Sequence, residues 1–515
     1  MRRTKVFHMA MGQRTHEQQA VMWVAVRDLP QSVSHPFYEK LNRLLAEYRF
    51  DDFVETQCRP FYAEKMGRPS LAPGQYFRLL LLGYFEGLDS ERGIAWRAAD
   101  SSGVRGFLGL LLTEAAPDHS TISRTRRLID LDTHRAVFTW VLQCLGIAGL
   151  VKGKTIAMDA TTLEANAALR SIVRRDTGES YHEFLTKLAQ ASGIETPTRA
   201  DLGKLDRKRQ NKGSNKDWAH PYDPDARIAK MKDGRTHLAH KAEPAVDLET
   251  GAIVAVTLQE ADQGDTTTMQ ITLPEALEQL EAVAAITDDQ VRTGEELVTD
   301  KGYHSKQTVL DVQSLGLRTY ISEPDRGRQH WIDQHAERAA VYANRRRIRS
   351  ERGKQLMRRR GELLERPNAH LYDTGGMRRT HLRGHGNILK RLLVHVAACN
   401  LGLWMRTLTG IGTPRGLQGR LAVALAIFFT LCVFLRNQVT ARRPRGLNLR
   451  LFTIPSHRLA PMQCIMNLFD LTPEQLKRAA SIKEQIDGLN RQLRGILGGQ
   501  PTPRTAPTRN RTMAR

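Results

Sequence analysis

The spacing of apolar positions changes twice along the chain, dividing it into a helical first part, a strand-rich middle and a helical last part. Through residues 1–150 the spacing is helical. Leu71-Ala-Pro-Gly-Gln-Tyr-Phe-Arg-Leu-Leu-Leu-Leu-Gly-Tyr-Phe carries an apolar helix pattern behind a Ser/Pro start, and Asp89-Ser-Glu-Arg-Gly-Ile-Ala-Trp-Arg opens a second, capped helix. Pro117-Asp-His-Ser-Thr-Ile-Ser-Arg-Thr-Arg-Arg-Leu then sets polar caps before a basic helix with Ser123, Arg124, Arg126 and Arg127. Two readings of it stay open: the reading helix of a helix-turn-helix, or an exposed basic helix on a bundle.

Near Val151 the pattern shortens to strands with Gly turns. An apolar run ends at Asp159, and a polar, Lys/Arg-rich stretch at about 174–220 reads as an insertion or mobile loop with a helix near Tyr181–Ala191. A Gly-containing turn between His237-Leu-Ala-His-Lys-Ala-Glu-Pro-Ala-Val-Asp247 and Ala252-Ile-Val-Ala-Val-Thr-Leu-Gln259 predicts an antiparallel hairpin, with Pro244 marking an edge or bulge. A helix over 267–285, a strand over 295–300, a helix over 306–315 and a short strand from Arg318 follow. Residues 337–366 are helical and dense in Arg, and 387–408 form a further amphipathic helix. The domains implied are 1–150, helical; 151–410, mixed α/β; 411–499, helical; and a tail, 500–515, with no apolar anchor, expected to be disordered. No internal repeat is visible.

Composition narrows the partners. The 515 residues carry 77 Lys+Arg against 55 Asp+Glu, a net charge of +22, spread along the chain. Such an excess favours a polyanion, nucleic acid first. Five cysteines without a Cys-x-x-Cys pair exclude a disulfide framework and a zinc site and fit reducing cytoplasm. The start, Met-Arg-Arg-Thr-Lys-Val-Phe-His, has charge but no apolar core behind it, so no secretory signal is expected. Residues 421–435 are apolar or nearly so between Arg420 and Arg436. That run falls short of the roughly 20 residues a membrane span needs, and a buried or partner-facing helix is expected in place of a membrane segment.

Candidate chemistry lies at two strand ends. Thr155-Ile-Ala-Met-Asp159 and Leu297-Val-Thr-Asp300 each drive an aspartate to the point where an apolar strand meets polar residues. A lone strand-end Asp is more often a turn or helix cap. A pair in this order can hold Mg²⁺, which takes few protein carboxylates and keeps water or phosphate ligands. His237, His240, His304 and His385 lack ligand spacing and are expected to pack or hydrogen-bond. There is no Gly-x-x-x-x-Gly-Lys-Ser/Thr loop for ATP and no nucleophile-elbow Ser.

Ile156-Ala-Met-Asp159-Ala-Thr-Thr-Leu-Glu-Ala-Asn-Ala, Ser171-Ile-Val-Arg-Arg-Asp-Thr-Gly-Glu-Ser, Tyr222-Asp-Pro-Asp-Ala-Arg, Gly264-Asp265 and Val298-Thr-Asp300-Lys-Gly-Tyr303 stand in an order that resembles one family. Pro69-Ser-Leu-Ala-Pro, Asp118-His-Ser-Thr-Ile-Ser, Glu365-Arg-Pro-Asn-Ala-His-Leu-Tyr and Gly375-Gly-Met-Arg-Arg-Thr-His-Leu-Arg-Gly-His extend it over about 40–410. The chain resembles the DDE transposases of bacterial insertion sequences, in particular the group numbered eleven-eighty-two, related to the larger insertion-sequence-four class.

That resemblance implies an α/β fold: an RNase H-like mixed-sheet catalytic core with a helical, end-binding N-terminal domain and a helical C-terminal region. It implies metal-dependent cleavage and strand transfer on double-stranded DNA, at terminal inverted repeats and target, by an endonuclease of a mobile element. Two Mg²⁺ ions, with Mn²⁺ as a substitute, would be held by Asp159, Asp300 and a third acid. Glu351, Glu362 and Glu365 all lie on the Arg-rich helix; Glu365, before Pro367, fits the family pattern best. Asn368 and Tyr372 depart from it, standing where relatives have an aromatic and a basic residue, and Arg378 or Arg379 would supply the charge. Arg345, Arg346, Arg347 and Arg349 would hold DNA phosphates, with Lys301, Tyr303, Arg124, Arg126 and Arg127 as further contacts; the competing reading is a solvated helix face. A homodimer in the active complex and a bacterial cytoplasmic, nucleoid-associated location, away from membranes, complete the expectation. A nuclease without joining activity and a non-catalytic DNA-binding relic are the alternatives.

Overall fold

The computed structural model describes residues 35–417, apart from 64–69, 112, 210–212, 232–233, 288–289, 326 and 328. The apolar segment 421–435, the tail and nearly all of 411–499 lie outside the described residues. Among the described residues seven α-helices come first: α1 (Pro36–Glu47), α2 (Phe50–Cys58), α3 (Pro73–Glu86), α4 (Glu91–Asp100), α5 (Ser102–Leu108), α6 (His119–Leu128) and α7 (Leu131–Ile147). Local chemistry sets their starts. Pro occupies the first turn of α1 and α3, and Ser90, Ser101, Asp118 and Asp130 each accept a hydrogen bond from a first-turn amide of α4 to α7.

Strands follow: β1 (Thr155–Met158), β2 (Thr161–Glu164), β3 (Val173–Arg174), β4 (Trp218–Ala219), β5 (Arg227–Lys230), β6 (Thr236–Asp247), β7 (Ile253–Glu260), β8 (Glu296–Thr299) and β9 (Arg318–Ile321). Between them lie α8 (Tyr181–Ala191), α9 (Arg199–Lys208), α10 (Asp265–Ala284) and α11 (Lys306–Ser314). The chain then runs through α12 (His335–Arg349), α13 (Glu351–Asn368), a π-turn at Ala369–Thr374 and α14 (His385–Thr409). The Arg-rich stretch is therefore two helices, separated at Ser350, whose hydroxyl accepts from Gly353 N and caps α13.

The main sheet is mixed. β7 pairs antiparallel with β6, β6 antiparallel with β1, β1 parallel with β8, and β8 parallel with β9. β2 continues the line of β1 along β6, and β5 continues the line of β7 on its other side. β6 is thus a central strand, which corrects the expectation of an edge at Pro244. The missing amide is tolerated because β1 ends opposite Ala245 and β2 begins opposite Ala242, leaving Pro244 across from the break, next to a register shift at Ala245/Val246.

One hydrophobic core runs through the helical part and the sheet. Its centre is α14, which packs on α3, α7 and β7. By length and composition α14 could cross a membrane, but 78% of its apolar window is buried inside the protein. The polar 174–220 stretch is more ordered than a loop. It holds α8 and the β3–β4 ribbon around a small core of Ile172, Trp218 and Leu238, and α9 packs on α8 through Leu185, Ala189 and Leu202. The pattern hid this because Arg stems do part of the packing: the Arg174 guanidinium lies 5.2 Å from the Phe184 ring centre and 5.8 Å from that of Trp218.

Candidate active site

Register brings the two predicted aspartates together. Ile156 and Ala157 of β1 stand beside Leu297 and Val298 of the parallel strand β8. Two residues further on, Asp159 and Asp300 occupy equivalent places at the carboxyl ends of neighbouring strands, which run roughly 4.8 Å apart. Thr155 Oγ1 donates to Glu296 Oε2 at 2.8 Å, so these two residues share a sheet face, and Arg352 of α13 donates to the same oxygen at 2.5 Å. The two-residue period of a strand returns Asp159 and Asp300 to that face, the one α13 crosses.

Three residues beyond the predicted set gather beside Asp300. Asp300 accepts from Gly302 N at 2.8 Å, and a Cβ added to Gly302 would meet Asp265 Oδ2 at 2.3 Å and Asp300 Oδ1 at 3.1 Å. Only glycine lets the two carboxylates approach this closely. Lys241 Nζ donates to Asp265 Oδ1 at 2.5 Å and to Gln263 O at 2.9 Å. Next to it Glu243 is wholly buried, accepting from Thr268 Oγ1 at 2.8 Å, from Tyr303 Oη at 2.6 Å and from Thr272 Oγ1. Burial raises the Glu243 carboxyl above its ordinary range. Burial and then Glu243 itself hold the Tyr303 phenol protonated, so it serves as a buried donor and not as a contact to DNA. The sequence signal for Lys241 and Glu243 is weak, two charges in a strand that also carries His237, His240 and Asp247, and it does not connect them to Asp300.

Glu365 is exposed, one position past buried Leu364, and Glu351 and Glu362 are exposed too. α13 enters at the Arg352–Glu296 pair, and Arg359 Nη2 donates to Glu249 O at 2.8 Å, at the turn between β6 and β7. Pro367 then removes one helical hydrogen bond, and the π-turn that follows brings Tyr372 within electrostatic reach of Asp159. His395 Nε2 fixes this turn through Leu371 O at 2.8 Å. Among the described residues, no three His, Cys, Asp or Glu side chains converge as a metal-holding group. The pair Asp159 and Asp300 fits a cation that takes one or two carboxylates; Glu365 does not complete a trio with them in this structure.

The predicted cations divide sharply. Arg126 is 5% exposed; its Nε donates to Glu91 Oε1 at 2.7 Å and its Nη1 to Asn387 Oδ1 at 2.5 Å, tying α4, α6 and α14 together. It is therefore a joint in the scaffold and presents no charge to DNA, whereas Arg124 and Arg127 are exposed. In α12 Arg345 forms a two-pronged pair with Glu323 at 2.6 and 2.7 Å. Arg347 donates to Thr319 O at 2.9 Å and Oγ1 at 2.8 Å, and burial lowers its pKa. Arg346 and Arg349 are exposed, as is Lys301. Arg378 pairs with Asp373 at 2.8 Å and Arg379 lies 3.7 Å from Glu164.

Of the four histidines, His240 and His385 pack together, and His237 Nδ1 lies 3.7 Å from Glu164 Oε1. His240 Nε2 lies 3.2 Å from Asp223 Oδ2, both fully buried, and the His385 ring sits 5.0 Å from that of His240. Asp223 also accepts from Gly384 N at 3.1 Å, so the group joins the loop before β5 to the start of α14.

Residues 27–128 match the family model described as Transposase domain (DUF772). That match supports a transposase family. No curated protein and no solved structure matches the chain. The matched segment ends at Leu128, the last residue of α6, so it takes in α1 to α6 and stops short of α7 and of Asp159, Asp300 and Glu365.

Proposed function

We propose that the chain is a DDE transposase that cleaves and rejoins DNA at the ends of an insertion sequence, with Asp159 and Asp300 as two of its three acids. The observation that carries this reading is their placement at equivalent positions on adjacent parallel strands. The strand order β7-β6-β1-β8-β9, three antiparallel strands followed by two parallel ones with helices between, supports an RNase H-like core. The transposase-domain match and the +22 charge agree with a DNA substrate.

Two Mg²⁺ ions, or Mn²⁺ in their place, would when bound activate the attacking oxygen and stabilise the leaving 3′ oxygen of an in-line displacement at phosphorus. Asp159 and Asp300 are the residues to hold them, with Glu365 as the proposed third acid and Glu362 as its alternative. Lys241 keeps Asp265 oriented beside Asp300. Exposed Lys301, Arg346, Arg349, Arg124 and Arg127 are among the cations available to the DNA backbone. Two ends brought together would require a homodimer.

Because Glu365 stands outside any trio, a non-catalytic DNA-binding relic is the second reading. Metal-dependent cleavage of end-containing duplex separates the two. Asp159→Ala and Asp300→Ala should each abolish cleavage and leave end binding within a few fold, since the carboxylates act on metal and not on DNA. Cleavage retained in either variant removes that aspartate from the site; no cleavage by the parent chain favours the relic.

A further inference from the structure

We infer that Glu243 is a positioning residue of the proposed metal site: a single buried carboxylate that anchors the turns carrying Asp300 and Asp265, and so fixes Asp300 before a cation binds. This role rests on the reading of Asp159 and Asp300 as metal ligands.

Three acid-bearing segments meet at Glu243, which lies wholly buried on β6. β1 ends with Met158 opposite Ala245 and β2 begins with Thr161 opposite Ala242. The break that holds Asp159 therefore lies across from Pro244 and Glu243. From the turn that begins at Asp300, Tyr303 Oη donates to Glu243 Oε1 at 2.6 Å. From the first turn of α10, which begins at Asp265, Thr268 Oγ1 donates to the same oxygen at 2.8 Å. Thr272, one turn further along α10, donates to Oε2. Asp300 and Asp265 thus each stand three residues before a hydroxyl that ends on one carboxylate. Lys241, two residues from Glu243 and so on the same side of the strand, donates to Asp265 Oδ1 and to Gln263 O. Its charge offsets the second carboxylate that Gly302 admits beside Asp300.

The Asp300 turn needs such an anchor. It is a 3₁₀ turn of three residues, Lys301–Tyr303, a geometry with poor hydrogen bonds of its own. Its bonds are Gly302 N to Asp300 Oδ1 at 2.8 Å and His304 N to Lys301 O at 3.3 Å, and Lys301 is exposed. Tyr303 is 1% exposed and ties the turn to β6 through Glu243. A buried carboxylate is costly unless its oxygens are satisfied. Here three hydroxyls satisfy it, and two of them belong to the turns it anchors. Removing groups that orient metal ligands costs about 10–100-fold in metal affinity.

Electron paramagnetic resonance of Mn²⁺ with the full chain, without DNA, measures that affinity. Hydrogen exchange of the metal-free protein reports the mobility of the turn. Tyr303→Phe removes one hydroxyl and keeps the ring. It should weaken Mn²⁺ about tenfold, equivalent to about 1.4 kcal/mol, and speed exchange in the peptide covering residues 300–304. Glu243→Leu should do at least as much. Glu243→Gln, whose side-chain carbonyl still accepts from Tyr303 and Thr268, should keep most of the affinity. Leu79→Ala, a core change in α3, should lower the melting temperature and leave both readouts unchanged, which separates positioning from stability. If circular dichroism shows Glu243→Leu unfolded, Tyr303→Phe and Glu243→Gln decide. Parent-like affinity and exchange in Tyr303→Phe beside lost affinity in Asp300→Ala would overturn the positioning role alone, as would a loss in Leu79→Ala equal to that in Tyr303→Phe. Parent-like Mn²⁺ affinity in Asp300→Ala, or no binding by the parent at millimolar Mn²⁺, would overturn the metal-site reading and this role with it.

Discussion

Helix α12 carries a dense arginine tract whose members should behave oppositely. Arg346 and Arg349, three apart and on neighbouring positions of one helix face, are exposed. Arg345 and Arg347 are engaged with Glu323 and Thr319. In Arg346→Ala/Arg349→Ala, two cations available to phosphates disappear while the fold keeps its hydrogen bonds. Each arginine withdrawn from a phosphate should flatten the slope of log K against log salt by about 0.9 on duplex DNA, so the pair should remove about 1.8. Specific and random duplexes should be affected alike, because phosphates carry no sequence information. In Arg345→Ala/Arg347→Ala the loss falls on the scaffold. Charge-assisted hydrogen bonds contribute about 1.5–3 kcal/mol where sheltered and less where solvent reaches them, and Arg345 and Glu323 keep 26% and 20% of their side-chain surface exposed. A cost of about 1–3 kcal/mol is expected, seen as a lower melting temperature with the salt slope largely unchanged. Fluorescence anisotropy from about 50 to 200 mM salt, the range over which such slopes are readily seen, with thermal melts of the same samples, gives both quantities. Equal slope changes in the two double variants, or an unchanged slope in Arg346→Ala/Arg349→Ala, would refute the division.

Much of the fold could be read from periodicity because the elements that matter are long or strongly capped. α4 and α6 begin where Ser90 and Asp118 announce them, and α10, β8, α11, β9 and α14 fall within a few residues of their expected bounds. What escaped was context. Pro244 reads as an edge or bulge signal; a register shift does fall beside it, at Ala245/Val246, but β6 is central, and that the missing amide faces the gap between β1 and β2 is a non-local fact. The helix expected near Tyr181–Ala191 is α8, but α9 and the β3–β4 ribbon read as loop, because the core there is made of Trp218, Phe184 and arginine stems and offers too few apolar positions for a periodic signal.

The site shows the same division. Two aspartates at the ends of apolar runs were legible, and parallel pairing of β1 with β8 makes neighbours of them. Their companions were not, since Asp265 reaches Asp300 only because Gly302 lacks a side chain, and Lys241 and Glu243 arrive from the opposite sequence direction on β6. Arginines were the least legible of all. Arg126, Arg345 and Arg347 resemble Arg124, Arg346 and Arg349 in every sequence respect, and only the partner across the helix packing decides which are scaffold.

Two further outcomes are expected. Glu365→Gln should lose cleavage as the aspartate variants do while Glu351→Gln and Glu362→Gln keep it; a dead Glu362→Gln beside an active Glu365→Gln would assign the third acid one turn earlier. The second concerns acid. Burial pushes His134 down to about 4 and His395 down to about 3, so both are neutral in the folded protein at pH values where the unfolded chain, with an ordinary histidine pKa near 6.5, takes up protons. The unfolded state therefore binds more protons below about pH 6.5, and stability must fall as the pH is lowered through that point toward 4. Each histidine contributes at most about 1.4 kcal/mol per pH unit across the window. The loss should loosen the turn at Leu371, which His395 holds at 2.8 Å beside Tyr372. Melting curves between pH 7 and 4.5 should show a shallower decline in His134→Gln/His395→Gln than in the parent. A parallel decline in both proteins would mean that these two rings do not govern acid stability, and that the turn next to Asp159 is held by its packing alone.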